Sequence, residues 1–147
     1  MIDSFTGEYG FLDNFYQSPV ACYGRLVPTV EHGFQAAKTW DSDERDAILN
    51  ASTPGEAKAL GRRARLRSNW EEIKFAWMED LLRQKFSDLE LAVRLLATGE
   101  RELVEGNTWH DNIWGDCCCP RCKAKPGQNH LGRLLMKIRT ELRRSVV

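Results

Sequence analysis

The stretch Pro28-Thr29-Val30-Glu31-His32-Gly33-Phe34-Gln35-Ala36-Ala37-Lys38-Thr39 constrains the fold of this chain more than any other. Thr29 is placed to cap a helix, its hydroxyl accepting a free amide of the first turn, and Glu31 suits the positive end of the dipole. At ~100° per residue, Val30, Phe34 and Ala37 share one stripe, which should face the core. Glu31, Gln35 and Lys38 fall on the stripe beside it. A carboxylate, an amide and an amine are thus lined up along one edge of a partly buried helix. Rising ~1.5 Å per residue, the helix sets the backbones of Glu31 and Lys38 roughly 10 Å apart. That is far for a direct ion pair and suited to two groups reaching one small substrate. The spacing also fits a plain solvated edge, so the rest of the chain must decide.

Before this stretch, β-like pieces occur around Ile2-Phe5 and Val20-Val27, the latter broken at Tyr23-Gly24 as a hairpin would be. After it, Ser42-Asp43-Asp46 opens a short helix that must end before Thr53-Pro54. Thr53-Pro54-Gly55-Glu56 reads as a capping box with proline at the first helical position, and Ser68-Asn69-Trp70-Glu71 as a second one. The first opens a helix with Ala57, Leu60 and Ala64 inward; the second carries Trp70, Ile73, Trp77, Leu81 and Leu82 at helical spacing. A further amphipathic helix is predicted from Asp88 to Thr98, with Leu89, Ala92, Val93 and Leu96 inward and Gly99 as its stop. Glu102-Leu103-Val104-Glu105-Gly106 reads as a short strand. In the last helix Asn129 is the predicted cap, Leu131, Leu134, Leu135, Ile138 and Leu142 face inward, and Lys137, Arg139, Arg143 and Arg144 form the solvated side.

Chemistry-bearing residues gather in two further places. Phe11-Leu12-Asp13-Asn14-Phe15-Tyr16 is too aromatic to float free, and Gly106 to Asp116 is a loop dense in tryptophan, aspartate and asparagine. Arginines 62, 63, 65 and 67 fit a solvated rim or a phosphate clamp, since the guanidinium fork matches phosphate oxygens. Arg62 or Arg67 would serve as the clamp.

Four blocks carry a resemblance. Gly10 to Tyr16, Pro28 to Lys38, Asp111-Asn112-Ile113-Trp114-Gly115 and Gly127 to Met136 resemble the NADAR family, in the family's order and across nearly all 147 residues. The resemblance implies an α+β, mostly helical single domain over 1–147 with a few short strands. It also implies a hydrolase that cleaves N-glycosidic bonds of ribose derivatives. Substrates implied are phosphoribosyl-amino-pyrimidine intermediates of riboflavin synthesis or ADP-ribosylated guanine, including ADP-ribosylated nucleic acid. In the family the aromatic loop lines the pocket, so Asn14 would hydrogen-bond the ligand and Phe15 or Tyr16 would offer it a flat surface. Gln35, Arg62, Trp114 and Gly115 join them as expected substrate-binding residues. The family's covalent lysine falls on Lys38, which attacks the sugar to form an imine. Glu31 is then the general acid/base, and Asp111 an orienter of ribose hydroxyls or a second acid. Two carboxylates acting directly on water are the other route, and a non-catalytic ADP-ribose or nucleotide reader is the alternative function.

Composition closes off other classes. Lys plus Arg equals Asp plus Glu at 21 each, so bulk charge does not recruit nucleic acid. No charged start precedes an apolar run and no stretch approaches a membrane span, so a cytoplasmic monomer without membrane contact is expected. The five cysteines are odd in number and four lie between 117 and 122, which does not describe a disulfide framework. Cys119-Pro120-Arg121-Cys122 has zinc-knuckle spacing, to be completed by Cys117 or Cys118 with His110 or His130. The family requires no metal, so no cofactor is expected and His110 reads as an exposed loop residue. A structural zinc at Cys119 and Cys122 is the rival.

Overall fold

Thr29 caps as its position implies. Its hydroxyl accepts the amide of His32 at 3.2 Å and opens helix α1, Val30–Ala36. The computed structural model describes residues 1–145. The chain divides into two compact units, Asn14–Lys85 and Met1–Asp13 with the chain from Phe86 on.

In the unit from Asn14 to Lys85, strands β1 (Val20–Cys22) and β2 (Arg25–Val27) pair antiparallel with Val20 opposite Val27. Tyr23 and Gly24 turn the hairpin with φ of 51° and 77°, as a two-residue loop that follows strand twist requires. After α1 come α2 (Ser42–Leu49), α3 (Pro54–Arg63) and α4 (Trp70–Lys85). Asp41 caps α2, and Thr53 caps α3 by accepting Glu56 N–H at 3.1 Å. The reciprocal half of that box is displaced by one residue: Glu56 accepts from the amide and hydroxyl of Ser52. At the start of α4 Glu71 accepts from Lys74 at 2.5 Å rather than turning back on Ser68.

α1 packs against α2, α3, α4 and β1, and every residue from Val30 to Ala37 is buried. The expected half-solvated edge is absent because helices close on both sides. His32 helps lock it. One ring nitrogen meets the Thr29 hydroxyl at 2.8 Å and the other donates to Ala51 C=O at 3.0 Å, tying α1 to the chain after α2.

In the other unit, a 3₁₀ turn at Gly7–Leu12 buries Phe11 and Leu12. The strands expected around residues 2–5 and 102–106 reduce to one parallel bridge between Ile2 and Leu103, with Gly106 alone in a regular strand. Helix α5 (Leu89–Ala97) is capped by Asp88, and α6 (His130–Ser145) packs on it. α5 is rotated from its predicted phase. Leu91, Ala92 and Leu95 are buried while Leu89 and Val93 are 80% and 56% exposed, because α5 turns the Leu91–Leu95 stripe inward. Arg139 is likewise buried rather than solvated, donating to Thr98 Oγ1 and Arg101 C=O at 2.9 and 2.8 Å. Asn129 does not cap α6. It takes a φ of 52°, and its side chain bonds Glu105 N–H and Leu103 C=O. Strands β3 (Gly106–Asn107) and β4 (Asp116–Cys117) pair in parallel. The helix-rich α+β class expected from the sequence holds, and no helix of the described residues is long and apolar enough to cross a membrane.

Candidate active site

Glu31 is 7% exposed, and its carboxylate accepts from Gln35 Nε2 at 2.7 Å, one turn along α1. Its backbone N–H reaches Asn14 C=O at 3.2 Å, which ties the helix start to the aromatic loop. Because a carboxylate oxygen accepts, Gln35 presents its NH₂ to Glu31, and Gln35 Oε1 is left buried without a partner. That oxygen lies against α3 at Gly61, where a Cβ would stand 2.0 Å from it. Only glycine admits this approach. Gln35, expected among the substrate-binding residues, is 3% exposed and orients Glu31 instead.

Lys38 lies just past α1. Its N–H bonds Gln35 C=O at 3.2 Å, so the helix tightens as it ends, and its C=O accepts Arg67 N–H at 2.7 Å. The side chain is half-buried, with Nζ 5.8 Å from the centre of the Phe34 ring. Burial pushes the amine below the ordinary lysine value. The charge of Glu31 opposes this, and Arg62 and Lys58 push it further down. Glu31 and Arg62, 31 positions apart in the sequence, thus both act on the charge of Lys38.

Arg67 is committed elsewhere. Its guanidinium donates to Asn69 at 2.8 Å and Ala37 C=O at 3.4 Å and lies over Trp40, so it anchors the end of α1, whereas Arg62 is exposed. Lys58 is not among the residues that the sequence motifs single out. It sits close enough to depress Lys38 and places Nζ 5.8 Å from the Phe15 ring centre. The signal was present: Lys58 and Arg62 are four apart on α3 and share a face.

Asn14 is buried. Its NH₂ points to Met78 Sδ at 3.6 Å while Oδ1 has no partner, a situation that costs about 1–3 kcal/mol unless a ligand relieves it. Phe15 and Tyr16 are 40% and 36% exposed, flat faces beside the amines of Lys58 and Lys85.

Asp111, Trp114 and Gly115 belong to the other unit. There Asp111 Oδ1 accepts the amides of Ile113 and Trp114 at 3.2 and 2.9 Å, an Asx turn. Asn107 accepts from Trp109 and Asp111 amides and donates to Asp111 C=O. Asn112 Oδ1 accepts Cys117 N–H at 2.8 Å. Gly115 is buried where a Cβ would lie 2.1 Å from Glu105 C=O, so packing alone demands glycine there. Trp114 is half-buried, edge-on to His130 at 6.3 Å. A cleft of about 570 Å³ in this unit is lined by Asp3, Asp13, Glu102, Glu105 and Asp116 without a lysine or arginine, the wrong charge for a phosphate. Among the described residues, His110 with Cys117, Cys119 and Cys122 could hold a metal.

Comparison with known proteins places the chain in a family. Residues 3–143 match the NADAR domain family, through both units. N-glycosidase YbiA of Escherichia coli (strain K12) is 41% identical over 142 residues, 95% of this chain and 85% of that protein. A riboflavin biosynthesis protein of Vibrio vulnificus (strain YJ016) is 36% identical over 138 residues, 92% of this chain and 36% of the relative. The NMR structure of the E. coli protein YbiA matches with a TM-score of 0.81 at 38% identity, covering 99% of this chain and 88% of that one.

Proposed function

The chain belongs to the NADAR domain family, and from that premise we propose that it is an N-glycosidase that releases a nitrogen base from a ribose phosphate through Lys38. The environment of Lys38 carries the reading. An amine held below the ordinary lysine range has a larger share of free base near neutral pH, and so is a better nucleophile. It adds to C1 of the ribose as the bond from C1 to the base nitrogen breaks, the electron pair leaving with the base. Glu31 gives the departing nitrogen its proton. The proton of the new ammonium passes to the ring oxygen as the C1–O bond opens, which leaves a protonated imine between C1 and Lys38. Water then adds to C1, Glu31 takes up its proton as a carboxylate, and the amine departs with release of the sugar.

Around this step, Arg62 and Lys58 supply positive charge for the phosphate. Phe15 and Tyr16 supply faces on which a base stacks, and Asn14 Oδ1 an acceptor for a ribose hydroxyl. All these groups come from one unit of one chain, which supports action as a monomer. Free thiols suit a reducing cytoplasm. The name of the Vibrio relative favours a phosphoribosyl-amino-pyrimidine over ADP-ribosylated guanine.

Borohydride added during turnover tests the mechanism, with each of those two substrates in a separate arm. A sugar adduct on the peptide containing Lys38 is the expected result, and the productive arm names the substrate. Turnover without an adduct overturns the imine. Binding without turnover in both arms makes the chain a nucleotide reader.

A further inference from the structure

We propose that His110, Cys117, Cys119 and Cys122 bind one zinc ion, which closes the loop that carries Asp111 and Trp114. The four ligand atoms lie within 4.8 Å of one another. His110 Nδ1 is 3.3 Å from the sulfurs of Cys119 and Cys122 and 3.9 Å from that of Cys117. A tetrahedral zinc with bonds of about 2.3 Å to sulfur and about 2.0 Å to nitrogen has edges of roughly 3.5 Å from nitrogen to sulfur. The three observed nitrogen–sulfur distances lie on either side of that edge. Hydrogen bonding does not explain it, because one ring nitrogen has a single hydrogen or a single in-plane lone pair and serves one sulfur, not three.

The backbone is arranged for the same purpose. His110 takes a φ of 68°, uncommon for a residue with a side chain, and in that conformation its ring meets the three thiols. Cys119 to Cys122 forms a knuckle turn, its carbonyl at Cys119 accepting the amides of Cys122 and Lys123 at 3.1 and 3.0 Å. Cys117 is buried on β4, opposite Asn107 of β3. The sequence left the third and fourth ligands open, and the fold selects among them. Cys118 is exposed and outside the cluster, and His130 bonds Gln128 at 2.9 Å.

Four protein ligands leave no open position, so the ion is structural rather than catalytic. Its work is local. A parallel ladder of two residues per strand is too short to hold the loop of residues 108–115 between them, whereas an ion bound to His110 and Cys117 pins the first part of that loop to the strand that follows it.

Protein purified under reducing conditions without chelator should carry one zinc per chain by elemental mass spectrometry. Stripping it should lower the melting temperature, and zinc should restore it. Cobalt in its place should give the strong visible bands of a tetrahedral thiolate site. Cys119→Ser and Cys122→Ser should lose the metal while Cys118→Ser keeps it, with far-UV circular dichroism to confirm that each variant is folded. Folded, reduced wild-type protein that takes up well under one equivalent of added zinc overturns the proposal. So does a Cys118→Ser variant that loses as much metal as Cys119→Ser.

Discussion

Glu31 and Asp111 are two carboxylates held in opposite ways. In α1 the helix ladder satisfies the backbone, neighbouring helices supply burial, and the side-chain amide of Gln35 orients the Glu31 carboxylate. Between β3 and β4, over residues 108–115, no ladder exists, so side chains do the backbone's work: Asp111 takes two main-chain amides, and Asn107 and Asn112 take others. A polar side chain engaged in shaping its own loop has less capacity left for a ligand. The comparison teaches that density of polar residues in a loop is a weaker sign of chemistry than one polar group buried in a regular element. It favours the proposal that places the reactive groups on α1 and its neighbours.

Lys38→Ala should have the largest effect, lowering single-turnover product formation at least about 10³-fold while leaving the urea midpoint in place, since the lost amine was held against burial. Near-normal turnover would break the assignment of the nucleophile. Next comes the direct contest between the carboxylates. Glu31→Gln should lower kcat by about 10²–10⁴-fold as a lost proton carrier. Asp111→Asn keeps the oxygen that accepts the Ile113 and Trp114 amides and should cost less than about tenfold. Equal losses would show that Asp111 handles protons too.

The glycines sharpen the contrast through stability. At Gly115 a methyl group meets the Glu105 carbonyl, which only backbone movement relieves, and at Gly61 it meets the end of a side chain. Both alanine variants should lose about 1–3 kcal/mol in urea unfolding, Gly115→Ala the more. Gly61→Ala should in addition lower kcat, because it displaces the Gln35 that orients Glu31. The smallest effect concerns pH. Lys38 must lose its proton to act and Glu31 must hold one, so activity should rise with pH, peak below the ordinary lysine range and then fall. Lys58→Gln removes a charge that lowers the Lys38 pKa, so the rise should move to higher pH. Glu31→Gln removes one that raises it, so any residual activity should rise at lower pH. Unmoved profiles would separate these groups from Lys38.

What the sequence by itself determined is local. The hydroxyl of Thr29 and the carboxylates of Asp41 and Asp88 cap helices within three residues of themselves, and Tyr23-Gly24 turns a hairpin between adjacent strands. The spacing of Glu31, Gln35 and Lys38 named one helix edge before any neighbour was known. Such signals are readable because a cap bond, a turn or a period is complete within one or two turns of chain. Only the tertiary structure decided the rest. It buried the whole of α1, brought Lys58 toward Lys38, set Gly61 against Gln35, rotated Leu89 and Val93 to solvent, and gathered His110 with three of four crowded cysteines. Desolvation, Coulomb interactions and close packing depend on groups far apart along the chain, and no window of sequence contains both partners.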